Sequence, residues 1–304
     1  MNIDPILFEY DLGFMLLTIR WYGLLIVLGT LCGAFYGAWY VKRKGEDPNL
    51  VWDALIWILI SGIVGARIWY VVADIIGGNS RYLDDPVSIL LVNQGGLNIL
   101  GGIILGVLIS WYYTKRNNID FWLLADALAP GYLIGQAIGR LGNYINQELY
   151  GPPTTLPWGI PIEGPHRIAP WNDLTLFPVE STFFHPTFAY EMIWNLVFAG
   201  LLIYLIVRNN RIATGVIAGL VLIITGIGRS LLEASFRPDQ PEFFGLGIST
   251  SMILSIIFTL IGIFVVLVKL GKISVGFMEP GATEYTHKAV RRPHVPRKMR
   301  RDKA

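Results

Sequence analysis

The chain has 304 residues, 53% hydrophobic and 15% charged, with a mean hydropathy of +0.52 and a formal net charge of +2. A soluble domain of this length needs more charge to cover its surface, so composition points to an integral membrane protein. One cysteine, Cys32, excludes an intrachain disulfide and a Cys-based zinc cluster, and its apolar surroundings make it a packing residue.

The first residues carry acids, Asp4, Glu9 and Asp11, where a cleaved leader has a basic stretch, and the apolar run behind them is longer than a leader's core. A helix crossing hydrocarbon takes about 20 mostly apolar residues. Seven stretches meet that length: 21–41, 54–73, 97–113, 121–138, 187–207, 212–228 and 245–268. The connections after the first, third and fifth are basic, with Lys42, Arg43 and Lys44, then Lys115 and Arg116, then Arg208 and Arg211. The tail from 276 holds eight lysines and arginines from Lys288 onward against Asp302 alone. The other connections are mixed or acidic, so the positive-inside rule puts the N-terminus outside and the C-terminus in the cytoplasm.

The expected fold is therefore an all-α integral membrane protein of seven transmembrane helices. Residues 1–275 form one membrane domain, and 276–304 a flexible basic tail that anchors topology and attracts anionic membrane lipids rather than nucleic acid. The stretch 141–184 contains PPTTLPWGIPIEGPHRIAPWND, whose prolines, glycines and tryptophans predict a small outward-facing cap between spans four and five.

Ionisable side chains inside spans are costly and mark either function or a structural pair. With the orientation above, Arg20, Tyr22, Arg67, Arg140, His185, Glu191, Arg229, Glu233 and Arg237 all fall toward the outer leaflet, and only Asp53 and Asp126 toward the cytoplasm. Arginines outnumber carboxylates there, which predicts a site for an anionic group, since a guanidinium fork suits phosphate oxygens. The structural alternative is that Arg67, Glu191, Arg229 and Glu233 pair with one another to hold helices together. Gly131, Gly135 and Gly139 recur every four residues and predict a close helix–helix seam. Gly139 and Gly142 flank Arg140 and leave the backbone open to a ligand, with Asn143, Asn146 and Glu148 just beyond. Outside-facing His166 and His185 lack ligand-spaced partners, so no metal or other cofactor is expected.

The segment from Gly139 to Gly151, GRLGNYINQELYG, resembles the signature of the prolipoprotein diacylglyceryl transferases. IRWYG, GARIWYVV, NQGGLNILGG, HPTFAYE and GRSLLE stand in that family's order along nearly the whole chain. The resemblance implies transfer of a diacylglyceryl group from phosphatidylglycerol to the lipobox cysteine of a preprolipoprotein in the bacterial plasma (inner) membrane, with release of glycerol phosphate. It also implies that Arg140 contacts the phospholipid, and that Asn143, Asn146, Glu148 and Gly151 fill the positions after it. Tyr22, Arg67, His185, Glu191, Arg229 and Glu233 match the remaining motifs. The chain departs from the pattern at Leu100, where the family usually has histidine, at Met252, where glutamine is common, and at Phe236, where an arginine is common and Arg237 comes one residue later.

The expected chemistry is displacement by a thiolate. Arg140 and Arg229 neutralise the leaving phosphate, Glu148 or His185 assists thiol deprotonation, and Tyr22 belongs to the same catalytic group. Gly142, Asn143, Asn146, Arg67, Glu233 and Arg237 are expected to bind substrate. A divergent, non-catalytic lipid-binding paralogue is the rival reading, kept open by Leu100. An anionic-solute transporter would need polar groups through both leaflets.

Overall fold

A computed structural model describes residues 4–11, 13, 16–92, 95–236 and 249–284. Arg237 and the basic tail beyond residue 284 lie outside the described residues.

The chain opens with strands β1 (Ile6–Asp11) and β2 (Leu16–Arg20), paired antiparallel. Helices α1 (Trp21–Arg43) and α2 (Asn49–Ile76) follow, then a short α3 (Arg81–Asp84), a 3-10 turn at Pro86–Leu90, and α4 (Ile99–Arg116). After α5 (Phe121–Ile145), strands β3 (Ile160–Pro161) and β4 (Phe183–Phe184) pair in the cap, before α6 (Thr187–Arg208), α7 (Val216–Phe236) and α8 (Thr250–Lys269). Six of these, α1, α2 and α5–α8, are long and apolar enough to cross a membrane. The chain is thus a predominantly helical, multi-pass membrane protein. Helix α4, at the place of the expected third span, has 18 residues and ends on Lys115 and Arg116, and is not among the six.

Two boundaries differ from expectation for one reason. The predicted fourth and sixth spans stop at 138 and 228, just before an arginine, yet α5 and α7 run on to Ile145 and Phe236. Arginine is a good helix former, and a charge does not end a helix when neighbouring helices supply its partner. The hairpin β1–β2 also departs from the all-α expectation. Its register sets Phe8 opposite Ile19 and Tyr10 opposite Leu17 on one face, and Glu9 opposite Thr18 on the other, joined by a 3.1 Å hydrogen bond. The period-two pattern is visible in FEYD and LTIR, but each run is short and carries acids or arginine.

The described residues form two compact units, one of 1–56 and 122–284, the other of 57–121. In the first, α1 and α5 meet antiparallel along glycines: Gly29 against Gly135, Gly33 against Gly131, and Gly37 against Ala127. A methyl group added to Gly131 would sit 2.7 Å from the Gly33 carbonyl oxygen and 2.9 Å from its Cα. Lipid offers helices no hydrophobic drive to associate, so such close backbone approach supplies the packing. Gly139, expected to extend this seam, has nothing within 4 Å of the position its side chain would take. In the second unit Gly65 and Gly62 of α2 meet Gly101 and Gly102 of α4 in the same way.

The cap has its own core of Tyr150, Ile162, Trp171 and Phe184, with Ile160 and Phe177 packed against it. Arg167 is buried beneath it, donating to the carbonyls of Ile162 and Phe177 and lying 4.9 Å over the Phe184 ring. At the other end of the bundle Asp126, with no exposed surface, accepts from the backbone N–H groups of Gly215 (2.7 Å) and Ala218 (2.8 Å) and so caps the start of α7. Residues 276–284, expected as the start of a flexible tail, are tied back onto the helices. Thr214 donates to Ala282, Gly281 to Lys269, and Lys269 Nζ to the Glu279 carbonyl.

Candidate active site

The last turns of α5 and the first turns of α6 run antiparallel. They bring Arg140 Nη2 to 2.6 Å from Glu191 Oε1. The other Glu191 oxygen lies 3.6 Å from Arg229 Nη1 of α7. One carboxylate therefore stands between two guanidinium groups. Arg229 continues along its own helix to Glu233, one turn on, where Nε and Oε2 form an ion pair at 3.2 Å without hydrogen-bond alignment. Glu233 Oε1 accepts from Ser249 Oγ at 2.9 Å, and the same hydroxyl oxygen caps α8 by accepting from Met252 N.

The signature segment closes the other side. Arg140 Nη1 donates to Asn143 Oδ1 (2.9 Å), and Asn143 Nδ2 donates to Glu148 Oε1 (2.8 Å), which Asn146 Nδ2 also approaches at 3.2 Å. After α5 the chain turns sharply through Gln147 and Leu149, both at positive φ, and this folds Glu148 back under the helix end. Gly142 is where Tyr22, in the first turn of α1, packs: a side chain there would meet the Tyr22 ring at 2.5 Å. The room that glycine leaves is thus filled by tyrosine, whereas Gly139 opens onto free space. Arg140 Nε is buried and has no hydrogen-bond partner, a donor aimed at no protein acceptor.

One turn deeper, Asn195 Nδ2 of α6 donates to Gln136 Oε1 of α5 at 2.8 Å, and Gln136 Nε2 reaches the Tyr132 hydroxyl. Asn195 is 1% exposed. Sequence reasoning missed this layer. Its signal was there, since Gln136 precedes Arg140 by one turn and Asn195 follows Glu191 by one turn. Ser249 was missed as well, although a serine ahead of an apolar run is a helix-start signal.

His185 stands at the entry to α6, tied by its backbone to Gly151 and Pro152 at the end of the signature. Its ring packs on Phe236 at 4.9 Å, and its Nδ1 lies 3.0 Å from the Tyr190 hydroxyl. Burial lowers its pKa from the ordinary 6.5, so it is neutral at neutral pH.

The arginines of the cluster stand against carboxylates. Among the described residues the cluster holds Arg140 and Arg229 against Glu191 and Glu233, with Glu148 linked through Asn143. A low-dielectric interior tolerates charge only in compensated sets. Arg67, in the other unit, is 6% exposed, and its guanidinium donates to the carbonyls of Ile89, Gly95, Gly96, Ser88 and Leu91 while lying 5.3 Å over the Tyr82 ring. These bonds tie Arg67 to the carbonyls of the 88–91 stretch and of Gly95 and Gly96 within its own unit. These buried and half-buried charges have two kinds of partner. Arg67, Arg167, Asp126 and Lys269 bond to main-chain groups. Arg140, Glu191, Arg229 and Glu233 bond to one another, and side-chain pairs of that kind can be exchanged for a ligand's oxygens.

The family described as prolipoprotein diacylglyceryl transferase matches residues 7–268. The chain is similar to proteins named phosphatidylglycerol–prolipoprotein diacylglyceryl transferase from several bacteria. The one from Chloroflexus aggregans is 40% identical over 210 residues, 69% of this chain and 67% of the relative. That from Leifsonia xyli subsp. xyli is 38% identical over 249 residues, 80% and 72% of the two chains. That from Trichormus variabilis is 41% identical over 230 residues, 74% and 77%.

Proposed function

The chain belongs to the prolipoprotein diacylglyceryl transferase family, and from that premise we propose that it moves the diacylglyceryl group of phosphatidylglycerol onto the lipobox cysteine of a preprolipoprotein. The thiolate's electron pair forms a C–S bond to the glycerol carbon that carries the phosphate. The C–O bond breaks, and its electron pair leaves on glycerol phosphate, which thereby gains a second negative charge. A preorganised pair of cations answers that growing charge.

Arg140 and Arg229 are that pair. The observation that carries the reading is the placement of Glu191, one oxygen toward each guanidinium, which marks a point where two arginines converge on a single oxyanion group. A phosphate can take the same fork, and Arg140 Nε adds a buried donor with no competing acceptor. Asn143 and Asn146 bind at the rim of this group and hold Glu148, and Tyr22, packed into Gly142, lines the same turn of α5. For thiol deprotonation the geometry favours Glu148 over His185. Glu148 is linked to Arg140 through one residue, whereas His185 Nδ1 is engaged by Tyr190. Glu233 acts on Arg229 from behind. Neither Arg67, with its donors turned to carbonyls, nor Arg237, outside the described residues, enters a step.

The same reading places the protein in the bacterial plasma (inner) membrane with seven spans, α4 included. It is supported by the basic last turns of α1, α4, α6 and α8, at Lys42 and Arg43, Lys115 and Arg116, Arg208, and Lys269. Their common side is the cytoplasm, so the arginine cluster and the cap face the outer leaflet, where lipid and secreted substrate meet.

The test is transfer by purified protein from phosphatidylglycerol in mixed micelles to a lipobox peptide. Arg140→Ala should lower kcat by about 100-fold or more, as loss of an oxyanion donor does. Arg140→Lys keeps the charge but not the fork and should recover only part of it. Full activity in both removes Arg140 from the mechanism.

A further inference from the structure

One side chain of the cap, largely exposed, reaches the first turn of α6. Trp158 donates its indole N–H to the Tyr190 hydroxyl at 2.8 Å, and that hydroxyl lies 3.0 Å from His185 Nδ1. An indole nitrogen only donates, so the Tyr190 oxygen is already an acceptor and its own proton turns to His185. In the arrangement where that proton is given to Nδ1, the imidazole carries its own proton on Nε2. Phe236 packs against both rings, at 4.9 Å from His185 and 5.3 Å from Tyr190, and keeps the pair in place.

The position of this group relative to the arginines follows from helix geometry. Arg229, Glu233 and Phe236 are spaced i, i+4 and i+7 on α7 and share a face, with about 10 Å of rise from the first to the last. On α6, Glu191 lies four residues into the helix from Thr187, and His185 precedes that start by two. His185 therefore sits roughly two turns from the arginines on the side of the cap. A phospholipid held by its phosphate on Arg140 and Arg229 would extend its polar headgroup into that space.

We propose that His185 reads this headgroup: with Tyr190 donating to Nδ1, its Nε2–H donates to a hydroxyl oxygen of the glycerol headgroup, and Tyr190 and Trp158 are positioning residues that fix the ring for that purpose. The proposal rests on the transferase reading above and extends it to lipid specificity. It makes His185 a donor to substrate rather than the base, and it gives the cap a part in lipid choice through Trp158.

The experiment compares phosphatidylglycerol with phosphatidylpropanol, whose three-carbon headgroup has no hydroxyls, in mixed micelles with a lipobox peptide. The readout is the ratio of kcat/KM for the two lipids, which the amount of folded enzyme does not move. The wild type should favour phosphatidylglycerol by about five- to tenfold, the worth of one hydrogen bond. His185→Phe should bring the ratio to about one, with Tyr190→Phe and Trp158→Phe in between and His185→Gln, which keeps an N–H, retaining part of it. An unchanged ratio in His185→Phe overturns the proposal, as does a wild type that uses both lipids alike. Displacement of a fluorescent lipid by the same two lipids runs in parallel. Transfer of both at equal rates leaves the transferase standing and removes the headgroup role. Absence of transfer with a His185-dependent binding preference does the reverse.

Discussion

Gly131 and Gly139 occupy the same stripe of α5, two turns apart, and a sequence treats them alike. Their surroundings do not. A methyl group on Gly131 would lie 2.7 Å from the Gly33 carbonyl oxygen and 2.9 Å from its Cα, both backbone atoms that cannot rotate away. Ordinary carbon contacts lie near 3.5 Å or beyond, so α1 and α5 must part by several tenths of an ångström or tilt. Overpacking of this kind costs about 1–3 kcal/mol, against a gain of up to about 1 kcal/mol for alanine over glycine in a helix. Gly131→Ala should therefore destabilise by about 1–2 kcal/mol. Gly139→Ala meets nothing within 4 Å and should keep the helix gain, stabilising by about 0.5–1 kcal/mol. Since about 1 kcal/mol moves the Tm of a protein this large by roughly 1.5 °C, the two variants should fall on opposite sides of the wild type and differ by about 2–5 °C. Tryptophan fluorescence during thermal unfolding in detergent reads both. Shifts of the same sign, or a Gly131→Ala variant as stable as wild type, would refute the close approach of α1 and α5.

Three further outcomes are expected. Gln136→Leu strands the buried amide of Asn195 and should cost about 1–3 kcal/mol, while the double variant Gln136→Leu/Asn195→Leu should recover most of that, as a double-mutant cycle of unfolding midpoints would show. Arg67→Lys replaces a guanidinium that serves several carbonyls with a three-donor ammonium. Hydrogen exchange across residues 86–92 should accelerate, and no change would mean that these bonds hold nothing in place. His185 has a folded-state pKa depressed by burial, so its contribution to stability is complete above about pH 6.5 and is lost as pH falls through the folded value. Tm should drop between pH 7.5 and 5, and His185→Gln should remove that part of the drop.

The membrane character, the chain order of the spans and most of the cluster were legible because they are written in side chains. Long apolar runs and basic turns announce helices and their ends, and an arginine in hydrocarbon draws the eye. The helix ends near Arg140 and Arg229 were misread for the same reason: a charge looks like an exit until its partner is known. The roles of individual glycines could not be read either, since Gly131, Gly139 and Gly142 face a backbone, open space and a tyrosine ring, a difference that exists only in three dimensions. The partners of Arg67 could not be read from the sequence, because carbonyl oxygens are present at every residue. Trp158 and Tyr190 gave no signal among the many aromatic residues of the chain.

The division between charges that address the main chain and charges that address each other has a consequence for how the two regions tolerate change. A guanidinium satisfied by carbonyls is indifferent to which side chains those residues bear. Ile89 and Leu91 are thus free to vary in side chain, whereas Gly95 and Gly96, with their φ of 85° and 75°, and the buried Ser88 are not, so long as position 67 stays arginine. The quartet of Arg140, Glu191, Arg229 and Glu233 has no such latitude, because altering one member orphans another, and its residues are bound to be inherited as a block.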